Sequence, residues 1–156
     1  MLRISTFCLA VLTAVLPAAA QNDVCVNPQT GQIDQAATEG WQQFQAAADP
    51  SATAALAGVW YTEVTNPGTG QVDHRYHTLE PNGLFSYQSR VCDQLGLCSD
   101  FAGHGFWAVQ TANDGSFAIM TIVSDMSRTN LCGISYSRMA GDQLQDNMGG
   151  VWVRAR

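Results

Sequence analysis

From Gly58 onward, short runs of β-branched and aromatic residues alternate with clusters of glycine, proline, asparagine and aspartate. Such runs are typical of β-strands, and such clusters are typical of tight turns because their residues tolerate or preset the backbone angles that a turn needs. The pattern predicts eight strands, at residues 58–66, 72–80, 84–91, 99–111, 116–124, 131–138, 143–147 and 150–155.

Eight sequential strands with short connections predict an all-β fold, an eight-stranded antiparallel up-and-down barrel preceded by a short N-terminal helix. Closing the sheet into a barrel removes its two exposed edges. A β-sandwich is the second choice. We expect the barrel domain at 57–156 and an N-terminal extension with the helix at 21–56.

The predicted helix covers residues 33–48, which are rich in alanine and glutamine. Its apolar positions recur at helical spacing on one face, at Ala37, Trp41, Phe44 and Ala48. Asp49-Pro50 ends this helix or starts a second short turn, with Asp49 as N-cap. The apolar face either docks on the barrel or binds a partner.

Residues 1–20 have the features of a secretory signal peptide. Arg3 supplies a positive charge, and the apolar run over 4–16 is shorter than the ~20 residues that span a bilayer. Ala18 and Ala20 suit the small-residue cleavage positions, so we expect cleavage after Ala20. The predicted location is the periplasm or the extracellular medium.

Cleavage would leave four cysteines, and an even number in an exported chain is typical of disulfide bonds. The spacing favours Cys92 with Cys98, which enclose five residues; Cys25 with Cys132 would then form the second bond. The two other pairings remain open. No Cys-x-x-Cys pair or Cys/His cluster with ligand spacing occurs, so we expect no zinc site.

The charge of the chain narrows the classes of partner. The formal net charge is −6, the seven basic residues are all arginine, and loss of Arg3 would leave six of them against 13 acidic residues. This balance excludes a polybasic binder of nucleic acid or anionic membranes. We therefore expect no nucleic-acid partner and, after signal cleavage, no membrane partner.

No motif of a hydrolase, nucleotide-binding or metalloprotease site occurs in the sequence. We accordingly assign no catalytic residue, metal or cofactor. His74 and His77 are an odd number of residues apart, which places them on opposite faces of a strand. His104, between Gly103 and Gly105, is predicted to mark a bulge or bend.

Two segments carry a resemblance to a known family. Gly58-Val59-Trp60 resembles the Gly-x-Trp signature that opens the first strand of lipocalins and other calycins. Near the far end, Gly150-Val151-Trp152-Val153-Arg154 is similar to the last barrel strand of that family, in which an arginine packs across the first tryptophan. The chain thus resembles small exported bacterial lipocalin-like proteins, and the resemblance implies that Arg154 packs on Trp60.

Tight turns predict which side chains share a face with Trp60. A turn at 67–70 places Trp60 opposite His77, and a turn at 81–83 places His77 opposite Tyr87. If Trp60 points inward, the predicted interior contains Trp60, Asp73, Arg75, His77, Leu79, Phe85, Tyr87 and Val91. A register shift of one residue would instead turn inward Val72, His74, Tyr76 and Thr78.

The predicted interior mixes apolar side chains with a few polar ones, as ligand pockets do. Arg75 and His77 together suit a carboxylate or another anionic head group. Asp73, Phe85 and Tyr87 complete the predicted ligand-binding set. Alternatively, Asp73 and Arg75 form a partly solvated ion pair that serves only solubility.

The predicted strands at 99–111 and 116–124 have apolar residues on both faces. The sets that compete for the interior are Phe117, Ile119 and Val123 against Ala118, Met120 and Ile122, and Phe106 against Trp107. The outer face either lies beneath the N-terminal helix or forms a protein interface.

These observations predict an exported lipocalin-like binding protein for a small amphipathic or anionic molecule. The alternative is a protein-binding module, such as an inhibitor of an extracellular enzyme, which would use the loops at one barrel end. An enzyme that uses His77 and Tyr87 inside the cavity is the third hypothesis.

Overall fold

The computed structural model describes residues 24–125 and 130–155, and the predicted signal peptide lies outside the described residues. Two helices precede eight strands: α1 Gln35–Ala46, α2 Pro50–Leu56, β1 Gly58–Thr65, β2 Val72–Leu79, β3 Leu84–Cys92, β4 Cys98–Thr111, β5 Phe117–Asp125, β6 Leu131–Ala140, β7 Gln143–Asp146 and β8 Val151–Arg154. Each strand pairs antiparallel with the next, and β8 pairs with β1. The predicted all-β, eight-stranded up-and-down barrel with a short N-terminal helix is confirmed.

The helices start where a side chain can satisfy free backbone N–H groups. Asp34 caps α1 by accepting a hydrogen bond from the Ala37 N–H at 3.0 Å, so α1 begins at Gln35 rather than at the predicted residue 33. Asp49 caps α2, with Pro50 in its first turn, as predicted. None of the helices in the described part of the chain is long and apolar enough to cross a membrane.

One end of the barrel is sealed by α2. Ala52 and Leu56 belong to the same buried cluster as Trp60 and Leu79, and the Trp60 Nε1–H donates to the Leu56 carbonyl at 2.8 Å. We call this the sealed end; the turns at 80–83, 112–116 and 141–142 lie there. The opposite, open end carries the turns at 66–71, 93–97 and 147–150, because successive antiparallel strands alternate direction.

The closing strand β8 is fastened to the sealed end by Arg154. Its guanidinium lies 4.4 Å from the centre of the Trp60 ring and donates to the carbonyls of Ala57 and Ala55 at 2.6 and 2.7 Å. Gly58 has a φ of 140°, and a Cβ there would lie 2.5 Å from Arg154 Nη1. Glycine at this position therefore lets the arginine reach the tryptophan, as the resemblance implies for Arg154.

Helix α1 covers the outer face of β4 and β5. Fully buried Trp41 packs in one cluster with Ala108 and Ile122, and Phe44 packs against the same cluster. The outer face of these strands thus lies beneath the helix, one of the two predicted alternatives. The interior set is Trp107, Val109 and Ile119.

The prediction of a bulge at His104 is wrong. Pairing through β4 is uninterrupted on both sides, with His104 opposite Ser86 on β3 and Ser124 on β5. Glycine is required beside it for a different reason, since the space of a Cβ at Gly105 is occupied by the backbone of Ile122.

Both favoured disulfide bonds are present, Cys25–Cys132 and Cys92–Cys98. The first ties the N-terminal extension to β6, beneath α1; the second joins facing residues of β3 and β4 at the open end. Within the extension, Val26 pairs antiparallel with Ile33 around a turn. Two disulfides are typical of a chain that folds in an oxidising environment.

Candidate functional site

The barrel encloses a cavity of about 600 Å³. Its floor is apolar and lies against the sealed end, where Trp60, Leu79 and Phe85 belong to the core cluster with α2. The described residues that line it are Trp60, Asp73, Arg75, His77, Leu79, Phe85, Tyr87, Ser89, Val91, Phe101, Ile119, Thr121, Val123, Ser135, Ser137, Leu144, Asp146 and Trp152. The volume and the mixed chemistry are those of a small-molecule pocket.

All five residues of the predicted ligand-binding set line this cavity: Asp73, Arg75, His77, Phe85 and Tyr87. They meet because both hairpins adopt the predicted register, with Trp60 opposite His77 and His77 opposite Tyr87. The alternative set, which includes His74 and Tyr76, does not line this cavity. The hairpin turns therefore determine which side chains a ligand would meet.

Towards the open end, Asp73 and Arg75 form an ion pair. Arg75 Nε donates to Asp73 Oδ2 at 2.6 Å, and the Ser89 hydroxyl donates to Asp73 Oδ1 at 2.5 Å. The Arg75 side chain is 42% exposed and that of Asp73 is 17% exposed. The ion pair of the alternative hypothesis thus exists, but it is part of the cavity lining.

The Asp73 contact engages only one of the three guanidinium nitrogens of Arg75. No described residue accepts a hydrogen bond from Arg75 Nη1 or Nη2. A guanidinium held through Nε has a fixed orientation and keeps its terminal fork for another acceptor. The arrangement is chemically suited to the oxygen atoms of a carboxylate, a phosphate or a neutral polar head group.

His77 lies among aromatic rings in the middle of the cavity wall. Its ring centre is 4.2 Å from that of Trp152 and 5.2 Å from that of Phe85. Burial, and then the positive charge of Arg75, lower the pKa of His77 to about 4. His77 is therefore neutral near pH 7, and among the lining residues that the structure describes Arg75 is the one that carries positive charge.

The sequence interpretation missed the contribution of the last two strands. Leu144, Asp146 and Trp152 line the cavity, and Asp146 Oδ2 accepts a hydrogen bond from Trp152 Nε1 at 3.1 Å. Trp152 precedes Arg154 by two residues, so alternation along a strand places both on the same face. That signal was available in the sequence, whereas the pairing that brings Asp146 beside them was not.

The site contains no group of metal ligands among the residues that the structure describes: no three His, Cys, Asp or Glu side chains are close enough to hold an ion. What the described lining offers is an apolar, aromatic floor, hydroxyl groups along the wall, and one arginine and two aspartates, of which Asp73 pairs with the arginine and Asp146 bonds Trp152. This combination can hold an elongated molecule whose two ends differ in polarity.

Comparison with protein-family models, curated proteins and solved structures finds no match to this chain.

Proposed function

We propose that this chain is an exported, lipocalin-like binding protein for a small amphipathic or anionic molecule. The observation that carries the proposal is the cavity, apolar at the sealed end and furnished with the Arg75 guanidinium towards the open end. The apolar part of the ligand lies against Trp60 and Phe85, and its head group accepts hydrogen bonds from Arg75. Burial of the apolar part supplies most of the affinity.

The lipocalin-like assignment has three supports. The Gly-x-Trp segment opens β1, the barrel is up-and-down with eight strands, and Arg154 packs across Trp60. Export is supported by the two disulfide bonds and by the signal-like sequence at 1–20. An inhibitor of an extracellular enzyme needs no internal cavity, so we place that function second.

The first test asks whether the protein carries a ligand. Protein purified from its own export compartment is compared by native and denaturing mass spectrometry. We expect a mass excess that is lost on denaturation and is absent from the double variant Arg75→Ala, His77→Ala. A native mass equal to the oxidised chain alone, together with no binding in the titration below, would contradict the proposal.

The second test separates the head group from the apolar body. Dodecanoate and dodecanol share a chain and differ in charge, and each is titrated by the change in tryptophan fluorescence. Because the carboxylate and the guanidinium are both charged, their hydrogen bond contributes about 1.5–3 kcal/mol, so Arg75→Met should weaken dodecanoate binding roughly tenfold or more and should weaken dodecanol binding much less. Arg138→Met is the matched control, since Arg138 pairs with Asp114 outside the cavity.

A further inference from the structure

The turns at the open end present bare apolar side chains to solvent. Leu95 and Leu97 in the turn after β3 are 86% and 70% exposed, and Met148 in the turn after β7 is 91% exposed. These are the three most exposed large hydrophobic side chains among the described residues. We call Leu95, Leu97 and Met148 the apolar rim.

The turn geometry does not require apolar residues there. Four turns share one pattern of backbone hydrogen bonds. The N–H of the first residue donates to the carbonyl of the residue four positions later, and the N–H of a glycine three positions later donates to the carbonyl of the first residue. The two at the open end have Leu95 and Met148 at their centre, whereas the two at the sealed end have Asn82 and Asp114. Turns of this kind favour polar residues, so the hydrogen-bond geometry of the turns does not explain the apolar side chains.

Two carboxylates of the rim turns bond backbone N–H groups of their own turns. Asp93 Oδ1 accepts from the N–H groups of Leu95 and Leu97, both at 2.9 Å. Asp146 Oδ1 accepts from the N–H groups of Met148 and Gly150 at 2.9 and 2.7 Å. Each carboxylate thus folds back onto its own turn, which lowers the cost of moving the turn out of water.

The rim lies on two opposite sides of the cavity mouth. The β3–β4 and β7–β8 turns are separated by four strands in either direction around the closed barrel. A flat, deformable apolar layer can meet both turns at once with the mouth between them, while a rigid protein surface would have to bridge the opening. A lipid surface is therefore the occupant that this geometry favours.

We propose that the apolar rim docks the open end on an electrically neutral lipid surface. The acidic net charge excludes an anionic one, and arginines 75 and 90 near the mouth are paired with Asp73 and Asp100. This proposal departs from the expectation of no membrane partner after signal cleavage, which rests on the charge of the chain alone. The proposal does not rest on the cavity holding a ligand, but docking would open the cavity directly onto the lipid.

The test is flotation of the exported protein, with its N-terminus verified by mass spectrometry, on vesicles of pure phosphatidylcholine. The rim variant is Leu95→Ser with Met148→Ser, and the control is Leu84→Ser, an exposed leucine at the sealed end. Because burying one such side chain contributes roughly a factor of ten in the partition coefficient, the rim variant should lose at least tenfold and the control should match the wild type.

Several outcomes decide the proposal. No flotation of the wild type, equal flotation of the rim variant, or flotation only when phosphatidylglycerol is added would overturn it, and the last would point to charge rather than the rim. Dodecanoate binding in solution should be unchanged in the rim variant, while Arg75→Met should still float. Failure of docking is thus distinguishable from failure of ligand binding.

Discussion

The two ends of the barrel have similar turns but differ in what fills them. At the sealed end, α2 and Trp60 fill the barrel, and the N–H groups of Trp60 and Arg154 bond backbone carbonyls. At the open end, the Asp73–Arg75 pair faces a cavity, and the turns expose apolar tips. The comparison separates the packed end of the barrel from the end at which we propose that a ligand is recognised.

Asp49 shows how the sealed end is held together. Its carboxylate accepts from the Ser51 and Thr111 hydroxyls at 2.7 Å each, so it joins the start of α2 to β4. These two bonds lower the pKa of Asp49 to about 2.

The largest expected difference is between the two disulfides. Cys25–Cys132 spans 107 residues and Cys92–Cys98 spans six. On the chain-entropy account, replacing the first pair by alanine should cost about 4–5 kcal/mol of unfolding free energy, and replacing the second about 2 kcal/mol. Denaturant unfolding of both double variants measures this. Cys132, the second residue of β6, and the Cys92–Cys98 pair both lie towards the open end, so a larger loss for Cys92–Cys98 would contradict the chain-entropy account.

Two leucines test the ends directly. Leu56→Ala at the sealed end removes a fully buried side chain and should lower the unfolding free energy by about 2–5 kcal/mol. Leu97→Ala at the open end changes an exposed side chain and should stay within about 0.5 kcal/mol. Urea titration of each variant is sufficient. Similar losses at the two positions would show that the open end also carries stability.

As the pH falls, the fold should lose stability first through His77 in the cavity wall and only later through Asp49 at the sealed end. The pKa of His77 falls to about 4 on folding, so the unfolded chain binds more protons below its ordinary value of 6.5. Stability from this group is complete above pH 6.5 and should fall by about 2 kcal/mol between about pH 6.5 and 4.5. The lowered pKa of Asp49 protects the sealed end until the pH falls below the ordinary value of 3.8.

Measuring the midpoint of urea unfolding across this pH range tests the prediction. The variant His77→Phe keeps a ring in the aromatic cluster and should remove the loss between about pH 6.5 and 4.5. An unchanged pH profile in that variant would assign the acid sensitivity to another group.

A small effect on stability is also expected at the mouth of the cavity. Arg75 is 42% exposed, so its ion pair with Asp73 is screened by water and should contribute less than about 1 kcal/mol. Arg75→Met should therefore leave the unfolding midpoint nearly unchanged while it weakens dodecanoate binding. A large loss of stability would mean that the pair serves structure rather than recognition.

Local sequence signals were sufficient for the first half of the barrel. The turns around Pro67 and Pro81 are short, so counting outward from them gives the register of β1–β3 and with it the positions of Arg75 and His77. Alternation also predicted that Trp60 and His77 share a face. These features depend on residues close together in the chain.

The remaining parts depend on distant contacts. Strands β4 and β5 are apolar on both faces because α1 covers the outer one, so alternation cannot identify the interior. The backbone of β5 lies where a Cβ on either glycine beside His104 would be, so the glycines are needed for this close approach. The sequence does not show this contact, and a bulge was therefore wrongly predicted. Asp146 reaches the site only when the sheet closes, so its place in the lining has no local signal.

The seam between β1 and β8 has a consequence for the order of events during synthesis. Arg154 contacts the Ala57 carbonyl across 97 residues of chain, so the barrel has two open edges until β8 has been made. Contacts of such long range form slowly. Until then the growing chain consists of separable hairpins, and the last residues of β8 act as the latch that closes the sheet.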